Sequence, residues 1–144
     1  MPQDMDIQYL LSALDNETNE SIMDLTTSKL KTIKNNILQK LQLNREELKM
    51  LHTKLKYYRY VDELHDIQYG AYIRWIPLKN PEKIYLTNGG LICEIKILDE
   101  GVHIICKNNM NRFFQIKLDE NLIFQKLTDQ ERTILSVLDH LEKQ

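Results

Sequence analysis

The stretch CEIKILDEGVHIIC, residues 93–106, holds both cysteines of the chain with His103 between them. Four chemistries suit those residue types: a metal site, a redox pair, a nucleophile with its base, or two neighbouring strands of a core. Spacing chooses among them. Asp99-Glu100-Gly101 suits a tight turn with the glycine in the left-handed region, which makes a hairpin pairing Leu98 with Gly101. That register sets Ile97 opposite Val102, Ile95 opposite Ile104 and Cys93 opposite Cys106, with His103 on the other face beside Glu94, Lys96 and Lys107. A zinc site needs four convergent ligands, and a Cys-His nucleophile needs the histidine on the cysteine's side. Both cysteines are therefore expected as buried, reduced thiols in a core.

Asp62, His65 and Asp66 fall at helical spacing and offer oxygen and nitrogen ligands, but three groups near a helix end more commonly just meet water. His52 and His140 stand in helical segments without an accompanying nucleophile or carboxylate pattern. Phosphate-cradling glycine loops and the Gly-x-Ser-x-Gly elbow do not occur in the chain. No catalytic residue, metal or cofactor is predicted, and the expected role is binding or assembly.

The elements follow from periodicity. Residues 21–66 contain no Gly or Pro and are rich in good helix formers. Leu30, Ile33, Ile37, Leu41, Leu48, Leu51 and Leu55, continuing to Tyr58, step by threes and fours, the pattern of a coiled-coil seam between chains. The rival is a helical hairpin broken near Asn44, where Asn44 and Glu47 have the spacing of a helix start. A shorter helix is predicted over 4–14. From Gly70 to Leu127, turn residues punctuate short runs rich in Ile, Tyr and Phe. Five antiparallel strands are predicted: 71–76, 84–87 continuing into 91–98, 102–107, 112–118 and 122–126. Thr128 and Glu131 frame a capping box before a closing helix with Ile134, Leu135, Leu138 and Leu141 on one face. The expected architecture is α+β: a helical segment at 1–66, a small five-stranded antiparallel barrel at 67–127 and a C-terminal helix at 128–144.

With 144 residues, 42% hydrophobic and 28% charged, the chain has the content of one ordinary globular unit. An acidic start and the lack of a long apolar run predict neither membrane span nor secretory signal, hence an intracellular protein. The net charge of −2 conceals an uneven distribution. Lys29, Lys31, Lys34, Lys40, Arg45, Lys49, Lys54, Lys56 and Arg59 face only Glu46 and Glu47 within one segment. Such a segment suits either the solvated face of a coiled coil or a nucleic-acid contact, for which Lys49, Lys54, Lys56 and Arg59 are the candidates. Tyr72, Arg74, Trp75 and Tyr85 are candidates for a docking surface, although alternation along AYIRWI places Tyr72 and Trp75 on opposite faces of one strand.

The strand count and turn spacing of residues 70–127 resemble the SH3-like barrels of Tudor and related modules, which implies a non-enzymatic interaction domain. The stretch YRYVDELHDIQYGAYIRWIPL, with the Ile, Lys and Asn bias of an AT-rich genome, is similar to proteins of large nucleocytoplasmic DNA viruses of the mimivirus kind. That resemblance implies a viral structural or nucleoprotein-associated role. The expected protein self-associates through its helices and presents a β surface to another protein, with nucleic-acid binding by the basic helix as the alternative.

Overall fold

A computed structural model describes residues 7–16, 19, 22 and 25–143. Among the described residues, four α-helices flank one antiparallel sheet. They are α1 (Ile7–Asp15), α2 (Thr27–Gln39), α3 (Arg45–Lys54) and α4 (Asp129–Glu142), and the strands are β1 (Tyr58–Val61), β2 (Tyr72–Pro77), β3 (Gly90–Leu98), β4 (Gly101–Lys107), β5 (Phe113–Lys117) and β6 (Asn121–Lys126). The strands lie in the order β1-β6-β2-β3-β4-β5. None of the described helices is long and apolar enough to cross a membrane.

The long helix expected over 21–66 is instead two helices and a strand. Thr26 caps α2, its hydroxyl accepting from Lys29 N–H, and Asn44 caps α3 by accepting from Glu47 N–H at 2.8 Å. Gln42 between them takes a left-handed backbone at φ 54°, which no continuing helix permits. The hairpin reading therefore prevails over the coiled coil. Tyr58–Val61, expected to continue the helix, pairs antiparallel with β6 instead. The aromatic and β-branched content of Tyr58-Arg59-Tyr60-Val61 fits a pleated strand better than a helix, and a partner strand is available. The predicted helix over 4–14 is found as α1, with residues 4–6 outside the described part.

Six strands replace the expected five, and the sheet is open with β1 and β5 at its edges. It is nevertheless strongly curled. Strands β5 and β6 are joined by the single 3-10 turn Leu118–Glu120, although β2, β3 and β4 stand between them in the sheet. Laid flat, those four spacings would separate the two strands by about 19 Å. Four residue steps reach at most about 14 Å, so the sheet must bend to close the gap. The concave face carries the first core, in which Val61, Ile73, Trp75, Ile92, Ile104, Cys106 and Ile123 are buried.

On the convex side of β1, β6 and β2, Ile76, Leu122 and Phe124 pack with Leu38, Leu51 and Leu55 from the helices. Strand β6 is thus covered on both faces, and four consecutive residues, Leu122 to Gln125, are buried. A third core joins Ala13 of α1 and Leu30 of α2 to Ile134 and Leu135 of α4. The capping box of α4 forms as expected: Thr128 N–H donates to Glu131 Oε1 and Glu131 N–H donates to Thr128 Oγ1.

The β3–β4 hairpin has the expected register from Leu98↔Gly101 to Ile95↔Ile104. Beyond Glu94 it slips. A bulge pairs Ile92, not Cys93, with Cys106. Cys106 is buried as expected, whereas Cys93 is exposed. Leu91, Ile92 and Cys93 are all apolar, so alternation there does not distinguish the regular ladder from one with an extra residue.

Candidate binding cleft

At one end of the curled sheet lies a cleft of about 560 Å³, within the size range of small-molecule and peptide-side-chain pockets. Strand β2 supplies its floor through Trp75, which is buried in the concave core. The indole meets the ring of Phe114 edge-on at 6.2 Å between centroids, a contact that crosses from β2 to β5 and exists only because the sheet curls.

One wall is the tail of the long β2–β3 loop, which runs back along β2. Thr87 N–H donates to Trp75 O at 3.0 Å, Trp75 N–H donates to Thr87 Oγ1 at 3.1 Å, and Arg74 Nε donates to Thr87 O at 2.8 Å. Gly89 holds φ 88°, and a Cβ there would stand 2.0 Å from Ile73 O. Only glycine permits this approach of the loop to the strand. The expected strand over 84–87 is this extended run, tied to β2 by Thr87 but outside the regular ladder. Alternation predicts Tyr72 and Trp75 on opposite faces of β2, yet both residues line this one cleft. Tyr72 reaches it from the strand's start, where its hydroxyl donates to Asn88 O of the loop wall at 2.6 Å.

The facing wall is the β4–β5 turn. Asn108 Oδ1 accepts from the backbone N–H of Met110 and of Arg112, each at 2.9 Å, and Asn111 adopts the left-handed conformation at φ 61°. This side-chain mimic of a turn fixes where Met110 and Asn109 stand. The lining is therefore of three kinds: the rings of Tyr72, Trp75, Tyr85 and Phe114, the amides of Asn88, Asn108, Asn109 and Gln115, and a few aliphatic groups with Met110. Among the described residues, no Asp, Glu, Lys, Arg or His lines it. Cations belong to residues close to the lining in the chain: Lys83 Nζ lies 5.6 Å from the ring centroid of Tyr85, a lining residue, and Lys107, beside Asn108, has its Nζ 5.8 Å from the ring centroid of Phe113.

Three of the four expected docking residues, Tyr72, Trp75 and Tyr85, thus converge, and Arg74 braces the wall. Phe114, Met110 and the amides were not anticipated. The run Asn108-Asn109-Met110-Asn111 reads only as turn punctuation in a linear sequence, and nothing local indicates that curling will bring it to Trp75.

The expected seam between chains is spent within one chain. Leu30 is buried in the α1–α4 core, Leu51 and Leu55 are buried against the sheet, Ile37, Leu41 and Leu48 are partly buried beside them, and Ile33 is exposed. Of the nucleic-acid candidates, Lys49, Lys54 and Lys56 are exposed, but Arg59 is not. Arg59 is buried with Nε 3.9 Å from Glu131 Oε2 and one guanidinium nitrogen 3.9 Å from Asp66 Oδ1, binding α4 and the segment after β1 to the sheet edge. The sequence marks Arg59 as a surface cation because alternation does not reveal a buried partner about seventy residues onward. Lys34 is also internal: its ammonium donates to Leu55 O at 2.7 Å and Tyr58 O at 3.0 Å, capping the end of α3, and burial with Lys31 nearby lowers its pKa.

Among possible metal ligands, His65 gathers Glu63 at 3.2 Å and Asp66 at 3.5 Å, with Asp62 outside the group. Glu63 and His65 are solvent-exposed and Asp66 is shared with Arg59, an arrangement that surface ion pairing explains. No protein-family model matches the chain, and no curated protein or solved structure is similar enough to it to count as a match.

Proposed function

We propose that this protein acts by binding, through the aromatic cleft between the β2–β3 loop and the β4–β5 turn, as a non-enzymatic interaction module. The observation that carries the reading is the lining itself: four aromatic residues and four Asn and Gln residues around about 560 Å³, with no acidic or basic residue among the described lining. Rings supply contact area at small conformational cost, and amides supply direction. Acid–base or nucleophilic chemistry would call for titratable groups of a kind that this cleft lacks, apart from two tyrosines. The cleft stands where small barrels often hold ligands, in the mouth of a curled sheet.

Thermal unfolding in the presence of candidate ligands tests it. A ligand at a hundred times its Kd stabilises the folded state by about 2.7 kcal/mol. Ligands that raise the midpoint of the wild type should fail to do so for Tyr85→Ala and Met110→Asp, whose residues are solvent-exposed and whose own midpoints should stay near wild type. Equal stabilisation of wild type and both variants would place the binding elsewhere.

A second reading keeps nucleic acid on the helical layer. Residues 27–61 hold nine basic and two acidic residues, and the remainder holds ten basic and nineteen acidic. With Lys34 and Arg59 internal, Lys29, Lys31, Lys40, Arg45, Lys49, Lys54 and Lys56 remain on the outer surface of α2 and α3 and their ends. Its test is charge reversal at Lys49, Lys54 and Lys56.

A further inference from the structure

We infer that the cleft takes the unpaired bases of a single-stranded nucleic acid, with the strand's phosphates held at its rim. The inference rests on the cleft being the binding site, as proposed above, and names its ligand. Three features at one place support it.

The first is the stacking surface. Tyr85 and Phe114 are 48% and 42% exposed at opposite walls, so each offers a ring face to an incoming planar group, with Trp75 forming the floor between them. Every nucleobase has a π face, and stacking on aromatic side chains is a principal source of affinity for single strands. The second is the amide set. Asn88 and Asn109 can both donate and accept, which matches base edges that carry both kinds of group, and Asn108 adds its amide N–H donors because its Oδ1 is taken by Met110 and Arg112, while Gln115 Nε2 lies 2.9 Å from His103 Nδ1.

The third is where the charge lies. The described lining is neutral, as bases are, and three cations belong to residues next to it in the chain or on its wall. Lys83 stands over Tyr85, Lys107 over Phe113, and Arg74 is fastened to Thr87 of the wall. A nucleotide has that same distribution, a neutral planar base joined to an anionic backbone. A duplex does not fit, because its bases already stack on one another and present only edges. A neutral peptide would use the rings but leave the cationic rim without a counterpart.

The chain has one tryptophan, Trp75, so its fluorescence reports this site alone. The experiment is a titration of the full chain with an eight-nucleotide single strand of mixed sequence, the same sequence as a duplex, and an uncharged proline-rich decapeptide. Saturable quenching by the single strand and not by the duplex is expected. Affinity should fall with salt at a logarithmic slope of about −2, as for about three phosphates held. Tyr85→Ala should weaken binding about tenfold or more, and Lys83→Glu with Lys107→Glu should flatten the salt slope. Two further variants, Lys49→Glu with Lys54→Glu, lie on the helical layer and should bind as wild type.

Absence of quenching by any single strand, with a response to the decapeptide that Tyr85→Ala removes, overturns the inference and leaves the cleft a peptide site. Absence of response to every probe, or responses that Tyr85→Ala does not alter, overturns both readings. Equal binding of duplex and single strand, lost in the Lys49 and Lys54 variants, moves nucleic acid to the helices and also overturns it.

Discussion

At the scale of single residues, the two cysteines have opposite fates because of one bulge. Burial, with the neighbouring Cys93 adding to it, pushes the Cys106 thiol up to about 12, while Cys93 is exposed. Iodoacetamide on the folded protein at pH 8 should therefore label Cys93 and spare Cys106, and both should react in denaturant; a doubly labelled native protein would contradict the placement. Because the thiol's pKa is raised on folding, the unfolded chain loses this proton first. Stability contributed by Cys106 is then complete below pH 9 and declines as pH rises from about 9 towards 12. Tyr58 and Tyr60, raised by burial, act in the same direction, and Lys34, lowered by burial, acts in the opposite one. Urea midpoints at pH 8 and pH 10.5 should fall less steeply for Cys106→Ala than for wild type. Glu131 is the other residue on which much depends, since one carboxylate oxygen completes the cap of α4 and the other faces Arg59 inside the protein. Removing one member of a buried pair leaves a charge uncompensated, and Glu131→Ala should cost about 3–5 kcal/mol in urea unfolding. Arg59→Met with Glu131→Leu should cost clearly less than the single change.

At the scale of elements, the helical layer and the cleft wall respond differently to change. Leu51 packs with Ile76 and Phe124, so Leu51→Ala should cost about 2–5 kcal/mol in urea unfolding, and the loss should appear in the whole cooperative transition. Gly89→Ala forces a Cβ against Ile73 O and a left-handed backbone, and should displace the loop that carries Thr87 and Asn88. Its signature is a shifted Trp75 emission together with lower stability. These elements were unequally legible. The capping box at Thr128, the cap at Asn44 and the hairpin turn at Gly101 were readable because each is fixed by residues a few positions apart. Strand β1 was not, because its pairing with β6 lies some sixty residues away and its neighbours are strong helix formers. The seam pattern marks a largely apolar face, but a periodic face does not state whether it meets another chain or the chain's own sheet. For the cleft, Tyr72, Trp75 and Tyr85 were visible as residue types, whereas Phe114 and Met110 joined them only through the curvature that the short β5–β6 connection imposes.

At the scale of the whole molecule, the net charge of −2 is the remainder of two separated populations. Exposed cations cluster on α2 and α3, so the protein should be retained on a cation-exchange resin at pH 7 and low salt despite a calculated isoelectric point near 6.1. Lys49→Glu with Lys54→Glu should abolish that retention; elution of the wild type in the void volume would show that the field is not patch-like. The helices and β1 are also inseparable from the sheet. A chain beginning at Asp62 would lose β1 and uncover Ile76, Leu122 and Phe124, and it should aggregate or fail to show a cooperative melt.

The position of β6 also bears on how the protein is made. This strand lies between β1 and β2 and belongs to two of the cores among the described residues, yet β3, β4 and β5 all precede it in the chain. During synthesis, β1 and β2 leave the ribosome long before the strand that joins them exists. The first half of the chain must wait with Leu51, Leu55 and Ile76 unburied, exposed to whatever apolar surface is near. Folding is therefore governed by contacts distant in sequence, and its rate should be slow for a unit of this size.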